Sequence, residues 1–389
     1  MARSGGGGSI CPSRGPCATW RTIISRSMPA RADSWTFEWQ RSWSGIWNGS
    51  FANRWRSLLD AATWRHVYHR PELVRRWVDT VGGACGAEPH FGLATSSSGV
   101  QLLLPWIVVP HGGRFIVRRK LESAGRELFG YHTPLLAGAD ASEIDWNHFW
   151  REALASAGSA FDQALFRLIE PEFSAGPDLQ RRSEECPTLS LEHCADLDAV
   201  LARCSSSHRV DVNRQLRRAR ERGEVTLWSA GPTDSAAALD SFRRELWPAY
   251  RTVWETRPVK STLIATPVEA FLEFAASAGV EEGWTNYSVL RIGSTPVAWH
   301  LGFVDAGRLY YWVPTYDVAW SNYSPGKLML AELAALGCRS GWREIHFLTG
   351  RHAYKSAWNP TPRSMTAVAW TSRSVRGRLM AWYDARALA

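Results

Sequence analysis

Residues 307–358 read GRLYYWVPTYDVAWSNYSPGKLMLAELAALGCRSGWREIHFLTGRHAYKSAW. The aromatic and β-branched run Leu309-Tyr310-Tyr311-Trp312-Val313 favours a strand. Ser324-Pro325-Gly326 then turns the chain onto an apolar helical pattern at Leu328, Leu330, Leu333, Ala334 and Leu336. The pattern stops near Gly337 or Gly341, as helices do at glycine. A second short strand, Glu344 to Leu348, runs into Thr349-Gly350 and a polar cluster from Arg351 to Lys355. Strand, turn, helix and strand in this order make a β-α-β unit of a buried sheet. A helix N-terminus beside strand ends can hold an anion such as a pyrophosphate.

Outward from this stretch the chain repeats itself. Asn286 to Ile292 and Pro296 to Val304 predict a hairpin around Gly293-Ser294. His90 to Thr95 and Val100 to Val109 predict another around a Ser-Ser-Ser-Gly turn, and Arg114 to Val117 can extend that sheet. Phe91, Leu93, Val100, Leu102 and Leu104 echo Tyr287, Val289, Val297, Trp299 and Leu301. Two similar α/β modules are therefore expected, over 33–175 and 190–375, with a polar linker at 176–189. Within them fall helices at 71–81, Trp146 to Ser156, Leu239 to Trp254 and Pro267 to Ser277. A further helix, from Ser207 to Gly223, is studded with Arg209, Arg214, Arg217, Arg218 and Arg220. Residues 1–32 are rich in Gly, Ser, Pro and Arg and free of apolar runs. They are expected to be a disordered leader, weakly transit-like, or upstream of a start at Met28. Residues 376–389 are expected to be a tail or helix.

A chain of 389 residues has room for two cores, and no apolar run approaches a membrane span. The net charge of +8 fits a polyanionic partner, a pocket for a phosphorylated cofactor, or simply a basic surface. Seven scattered cysteines without a CxxC pair argue against a zinc or disulfide framework, so reduced thiols and a cytoplasmic location are expected. The 22 tryptophans must fill cores or pocket walls.

Three groups of residues carry a resemblance. One is Ser207-His208-Arg209 with the arginine helix. A second is Tyr316-Asp317 followed by Tyr323-Ser324-Pro325-Gly326 and the helix with Leu330. The third is Gly350, then Tyr354-Lys355 and Trp358. In order and spacing they resemble the GNAT-superfamily acyltransferases. The resemblance is greatest to the double-domain branch with the cellulose-biosynthesis-associated acetyltransferases and the Fem-type peptidyl transferases. It implies an α/β (α+β) fold of two tandem GNAT-like domains, each a mixed, mainly antiparallel sheet flanked by helices. The usual phosphate loop is reduced here to Ser324-Pro325-Gly326-Lys327, and His346 stands where the pattern has an Asp.

The resemblance implies an N-acyltransferase. It would move an acyl group from acyl-CoA (acetyl-CoA), without a metal, to an amine or hydroxyl of a small molecule, sugar or amino acid by direct transfer. Val313 and Thr315 fall near the splay of the fourth strand, where a backbone N–H meets the thioester carbonyl. Ser324, Gly326 and Lys327 would hold the donor's phosphates. Ser324 as a cap with Pro325 at the first position also describes an ordinary helix start. His300, whose ordinary pKa lies near neutrality, and Asp317 are alternative general bases, and Tyr354 can protonate the leaving thiolate. Arg209, Tyr316, Tyr323, Lys355 and Trp358 would contact substrate. The alternatives are a Fem-type enzyme drawing on aminoacyl-tRNA, for which the arginine helix would contact phosphates, and a non-catalytic module that kept the fold.

Overall fold

The computed structural model describes residues 33–113, 116–255, 261–350 and 352–372. The leader at 1–32, the tail at 376–389, Arg114 and Arg351 lie outside the described residues. Strands β1 (Trp35–Gln40), β2 (Ala62–Trp64), β3 (Glu88–Pro89), β4 (Phe91–Ser96), β5 (Gln101–Leu104), β6 (Trp106–Gly113), β7 (Ile116–Ser123), β8 (Leu135–Ala137), β9 (Gln163–Ile169) and β10 (Gln180–Glu185) come first. They are followed by β11 (Thr188–Ser190), β12 (Val225–Ser229), β13 (Thr285–Ile292), β14 (Thr295–Asp305), β15 (Arg308–Tyr316), β16 (Glu344–His346) and β17 (Ser364–Thr371). They form three mainly antiparallel sheets, ordered β1-β4-β5-β8-β2, β10-β17-β9-β7-β6-β3 and β11-β16-β15-β14-β13-β12.

The strand expected over 100–109 is cut in two. Pro105 has no N–H to give to a ladder, so the chain turns there. β5 stays beside β4, and β6 passes into the second sheet. The echo between the halves survives this break. β4·β5 and β13·β14 are both antiparallel hairpins, and each half then makes one parallel pair, β7·β9 and β15·β16. The crossovers between those pairs contain the helices Trp146–Ser156 and Pro325–Arg339.

The sheets do not respect the sequence boundary expected at 176–189. That polar stretch contains β10 and most of β11. β11 crosses to pair with β16, and β17 returns from the far end of the chain to lie between β10 and β9. One apolar cluster also spans both halves, joining Trp55, Tyr68 and Trp77 to Phe271, Trp284 and Phe303. The two halves are thus tied by exchanged strands and a shared core.

The helix Pro325–Arg339 buries Leu328, Met329, Leu330, Ala331, Leu333 and Ala334. Gly337 stays helical because its surroundings leave no room for a side chain: a Cβ there would lie 2.5 Å from Leu191 Cδ1. Gly341, at φ +71°, sits just beyond the C-terminus. A second helical segment, Ser235–Ser241, continues through a π turn, Phe242–Leu246, into Trp247–Glu255. The π turn ends just before Pro248, which has no N–H to continue the α-helical pattern. No helix among the described residues is long and apolar enough to cross a membrane.

Candidate functional site: an opening between two parallel strands

β15 and β16 pair over only three residues: Arg308 with Glu344, Leu309 with Ile345, and Tyr310 with His346. Beyond that point the strands part. The β14·β15 register slips between the Phe303–Tyr310 and Leu301–Val313 pairs, putting an extra residue into β15. Such a bulge bends its strand and leaves a residue unpaired. After His346 the chain swings the other way. Phe347 N donates to Pro187 O at 3.0 Å, and Leu348 and Gly350 take φ of +54° and +99°. A cavity of about 610 Å³ fills the opening. Tyr311, Trp312, Pro314, Thr315 and Tyr316 form one wall and Phe347, Leu348 and Thr349 the other. The start of the helix at Ser324–Lys327, the helical residues Tyr250, Val253 and Trp254, and Glu127–Gly130 of the first half close it.

Which backbone groups face this space follows from strand alternation. Asp317 N donates to Val297 O at 3.0 Å, toward β14. Thr315 and Val313 point their N–H groups to the same side, so they are spent in the ladder. Pro314 and Tyr316 face the opening, and the missing N–H of Pro314 therefore costs no ladder bond. This corrects the expectation that the N–H of Val313 or Thr315 meets the ligand: Tyr316 offers its own. Val313 is buried and absent from the cavity wall. Thr315 keeps a part through its side chain, because its buried Oγ1 has no hydrogen-bond partner among the described residues.

At the helix start, Ser324 is left-handed (φ +52°) and its side chain makes no cap. Lys327 N and Leu328 N both donate to Ser324 O, at 2.9 and 3.2 Å. Pro325 has no N–H, so Gly326 supplies the free N–H of this turn among the described residues. A Cβ on Gly326 would meet nothing nearer than Tyr316 Cδ1, at 3.7 Å, so the glycine leaves usable space on the cavity wall. Lys327 also lies on that wall and is ion-paired with Asp211.

The remaining expected site residues divide by position. Tyr354 stands on the cavity wall, 44% exposed, with burial of its phenol pushing the pKa up to about 12. Lys355 also touches the cavity, but the residue is 5% exposed and its ammonium donates to Phe347 O, Thr349 O and Gly350 O at 2.8, 2.7 and 3.2 Å. All three of its N–H groups are in use, so it has none left for a substrate. His300 is fully buried behind the wall, stacked on Tyr311 at 4.7 Å, with Nδ1 3.0 Å from Asn286 Oδ1. Burial pushes its pKa down to about 3, which makes it a poor base as well as an unreachable one. Asp317 Oδ1 accepts from Ala319 N and caps the short turn Val318–Tyr323. Trp358 is a core residue against His208, at 5.0 Å. Tyr323 Oη accepts from Arg222 Nε at 2.7 Å, and Arg209 is exposed on the helix Ser206–Arg220; neither lines the cavity. We expect His300→Gln to lower the unfolding free energy by about 1–3 kcal/mol. Turnover per folded molecule should stay within about threefold, since the ring does not line the cavity. Chemical denaturation and activity on the same sample check both halves of this expectation.

Sequence reasoning missed Glu127–Gly130, Tyr250 and Trp254. Gly130 fits because a Cβ there would lie 2.5 Å from Leu348 Cδ2, across the two halves. No local pattern announces such a long-range approach. Tyr250 and Trp254 were legible only as one face of a helix, four residues apart.

Residues 206–356 match the family model described as an acetyltransferase (GNAT) domain. Among solved structures, FemX is similar at a TM-score of 0.58 and 9% identity, over 86% of this chain and 98% of that one; at that identity the likeness is one of fold. A C-terminal (DUF2156) domain of a putative lysylphosphatidylglycerol synthetase from Agrobacterium fabrum is also similar, with a TM-score of 0.49 and 14% identity, over 82% of this chain and 96% of that one. So is a tandem GNAT protein from the clavulanic acid biosynthesis pathway, with a TM-score of 0.41 and 13% identity, over 88% of this chain and all of that one. No curated protein matches the chain.

Proposed function

We propose that this chain, whose residues 206–356 match the acetyltransferase (GNAT) domain model, transfers an acyl group from acyl-CoA to an amine within a ternary complex. One observation carries the reading: the parallel pair β15·β16 opens after three residues, and an unpaired strand edge faces a cavity large enough for a thioester arm. A thioester carbonyl beside Tyr316 N–H would receive a hydrogen bond where negative charge develops. Thr315 Oγ1, buried and unsatisfied, suits a polar atom of the same ligand. The Gly326 N–H and the Lys327 charge would meet the donor's phosphates at the helix start.

The neutral amine attacks the thioester carbon, and the tetrahedral intermediate expels the thiolate. The thiolate takes the proton of Tyr354, whose raised pKa keeps it protonated at neutral pH, and solvent returns a proton to the phenolate and takes one from the carboxyl that received the amine's proton. Glu127, a carboxylate on the cavity wall, is placed to accept the proton lost by the amine. No side chain need be acylated. Calorimetry with acetyl-CoA should give binding in the micromolar range, and mass spectrometry of protein mixed with acetyl-CoA alone should show no acetylated protein. Retention of aminoacyl-tRNA with no response to acetyl-CoA would favour the Fem-type donor instead. The exposed Arg209, Arg214, Arg217 and Arg220 would then contact phosphates.

A further inference from the structure

We propose that Lys355 is a positioning residue: its ammonium group stands in for a missing sheet neighbour, and so keeps the edge of β15 open for the acyl donor. The inference rests on the reading of the opening as the donor site. Phe347 lies on the β11 side of β16, opposite Pro187, which has no N–H to give its carbonyl. That carbonyl and those of Thr349 and Gly350 in the turn that follows converge on Lys355 Nζ, at 2.8, 2.7 and 3.2 Å. The turn requires left-handed backbone at Leu348 (φ +54°) and Gly350 (φ +99°). Leu348 has no glycine's freedom there, so something must hold it. Buried carbonyls without donors are costly, and a single neighbouring side chain supplies three donors at once. The parted strands are thereby satisfied without each other, and Tyr316 N–H is left for a ligand.

This arrangement needs the charged form, because a neutral amine has two N–H groups for three carbonyls. Burial pushes the Lys355 pKa down to about 8. Three of the groups facing it stay neutral near that pH. The Cys186 thiol and the Tyr354 phenol are each pushed up to about 12 by burial, and burial also raises the Tyr311 phenol well above its ordinary value. His352 and Lys327 complete the titratable neighbours on the cavity walls nearest to it.

Two signs then oppose each other. A lysine whose pKa is lower in the folded state than its ordinary 10.5 makes folding more favourable as pH rises from about 8 to 10.5, since the unfolded chain holds the proton longer. Donor affinity moves the other way, because each deprotonated molecule has lost its tripod.

The test measures the acetyl-CoA dissociation constant by calorimetry from pH 7 to 9.5, with chemical denaturation at each pH, for the wild type, Lys355→Arg and Lys355→Met. We expect the wild-type affinity to fall about tenfold by pH 9, where roughly a tenth of molecules keep the ammonium. Lys355→Arg should bind with little pH dependence. Lys355→Met should bind at least about tenfold more weakly at pH 7, with a flat profile. If a variant fails to fold, the wild-type profile decides alone: affinity falling while unfolding stability holds or rises is the signature that a purely structural lysine would not give. A flat wild-type profile, or Lys355→Met binding like wild type, overturns the positioning role while leaving the donor site standing. Absence of wild-type binding at every pH overturns both.

Discussion

Gly326→Trp is expected to weaken acetyl-CoA binding by roughly 100-fold, about 2.7 kcal/mol, with almost no loss of fold stability. Gly326 sits in the first turn of the helix Pro325–Arg339 and outside the left-handed region, so a side chain strains nothing in the backbone. The nearest atom to a Cβ is Tyr316 Cδ1, at ordinary contact distance of 3.7 Å. The new ring would occupy the mouth where the helix start meets the free edge of β15. It would block the approach of a pyrophosphate to the Gly326 N–H and crowd the arm that leads to Tyr316. Substitutions that touch no packed core cost about 0.5 kcal/mol or less, so the melting temperature should barely move. Calorimetry and a thermal melt on one preparation separate the two effects. Unchanged affinity would remove the helix start from the site.

Tyr354→Phe is expected to lower kcat by roughly 100-fold and to leave acetyl-CoA affinity almost unchanged. The phenol stands at the cavity wall with its pKa near 12, so it carries its proton throughout the working range. Removing the hydroxyl leaves water as the proton source for the thiolate but preserves the ring, which stacks on His352 at 5.9 Å. The alkaline loss of affinity assigned to Lys355 should persist in this variant, because that titration belongs to a different group. A matched fall in affinity and turnover would point to a binding role instead. Steady-state kinetics with a panel of amines, supported by direct binding, distinguishes these outcomes.

Much of the architecture is legible in the chain because strands and helices print their periods. The β-α-β unit around the helix Pro325–Arg339 follows from one aromatic run, one Ser-Pro-Gly turn and one apolar helical pattern. Other features depend on distance and leave no period. β11 has three residues, too few for alternation to mark, and β17 finds its partners nearly two hundred residues away in sequence. His300 shows why site assignments are harder. On a strand at a sheet edge, an inward histidine would face a cleft; β14 lies between β13 and β15, and both of its faces are covered. Tyr354 and Lys355 both line the opening. Their characters are exchanged relative to composition rules, since the lysine is buried and the tyrosine half exposed. The reason is local: three carbonyls demand donors, and the lysine supplies them.

The central claim is that the parted strands β15 and β16 hold a thioester. It is tested most directly by a crystal structure of the protein with acetyl-CoA. The thioester carbonyl oxygen should lie about 3 Å from Tyr316 N, with the pyrophosphate at Gly326 and Lys327. Acetyl-CoA bound elsewhere, with the space between the two strands empty, would contradict it.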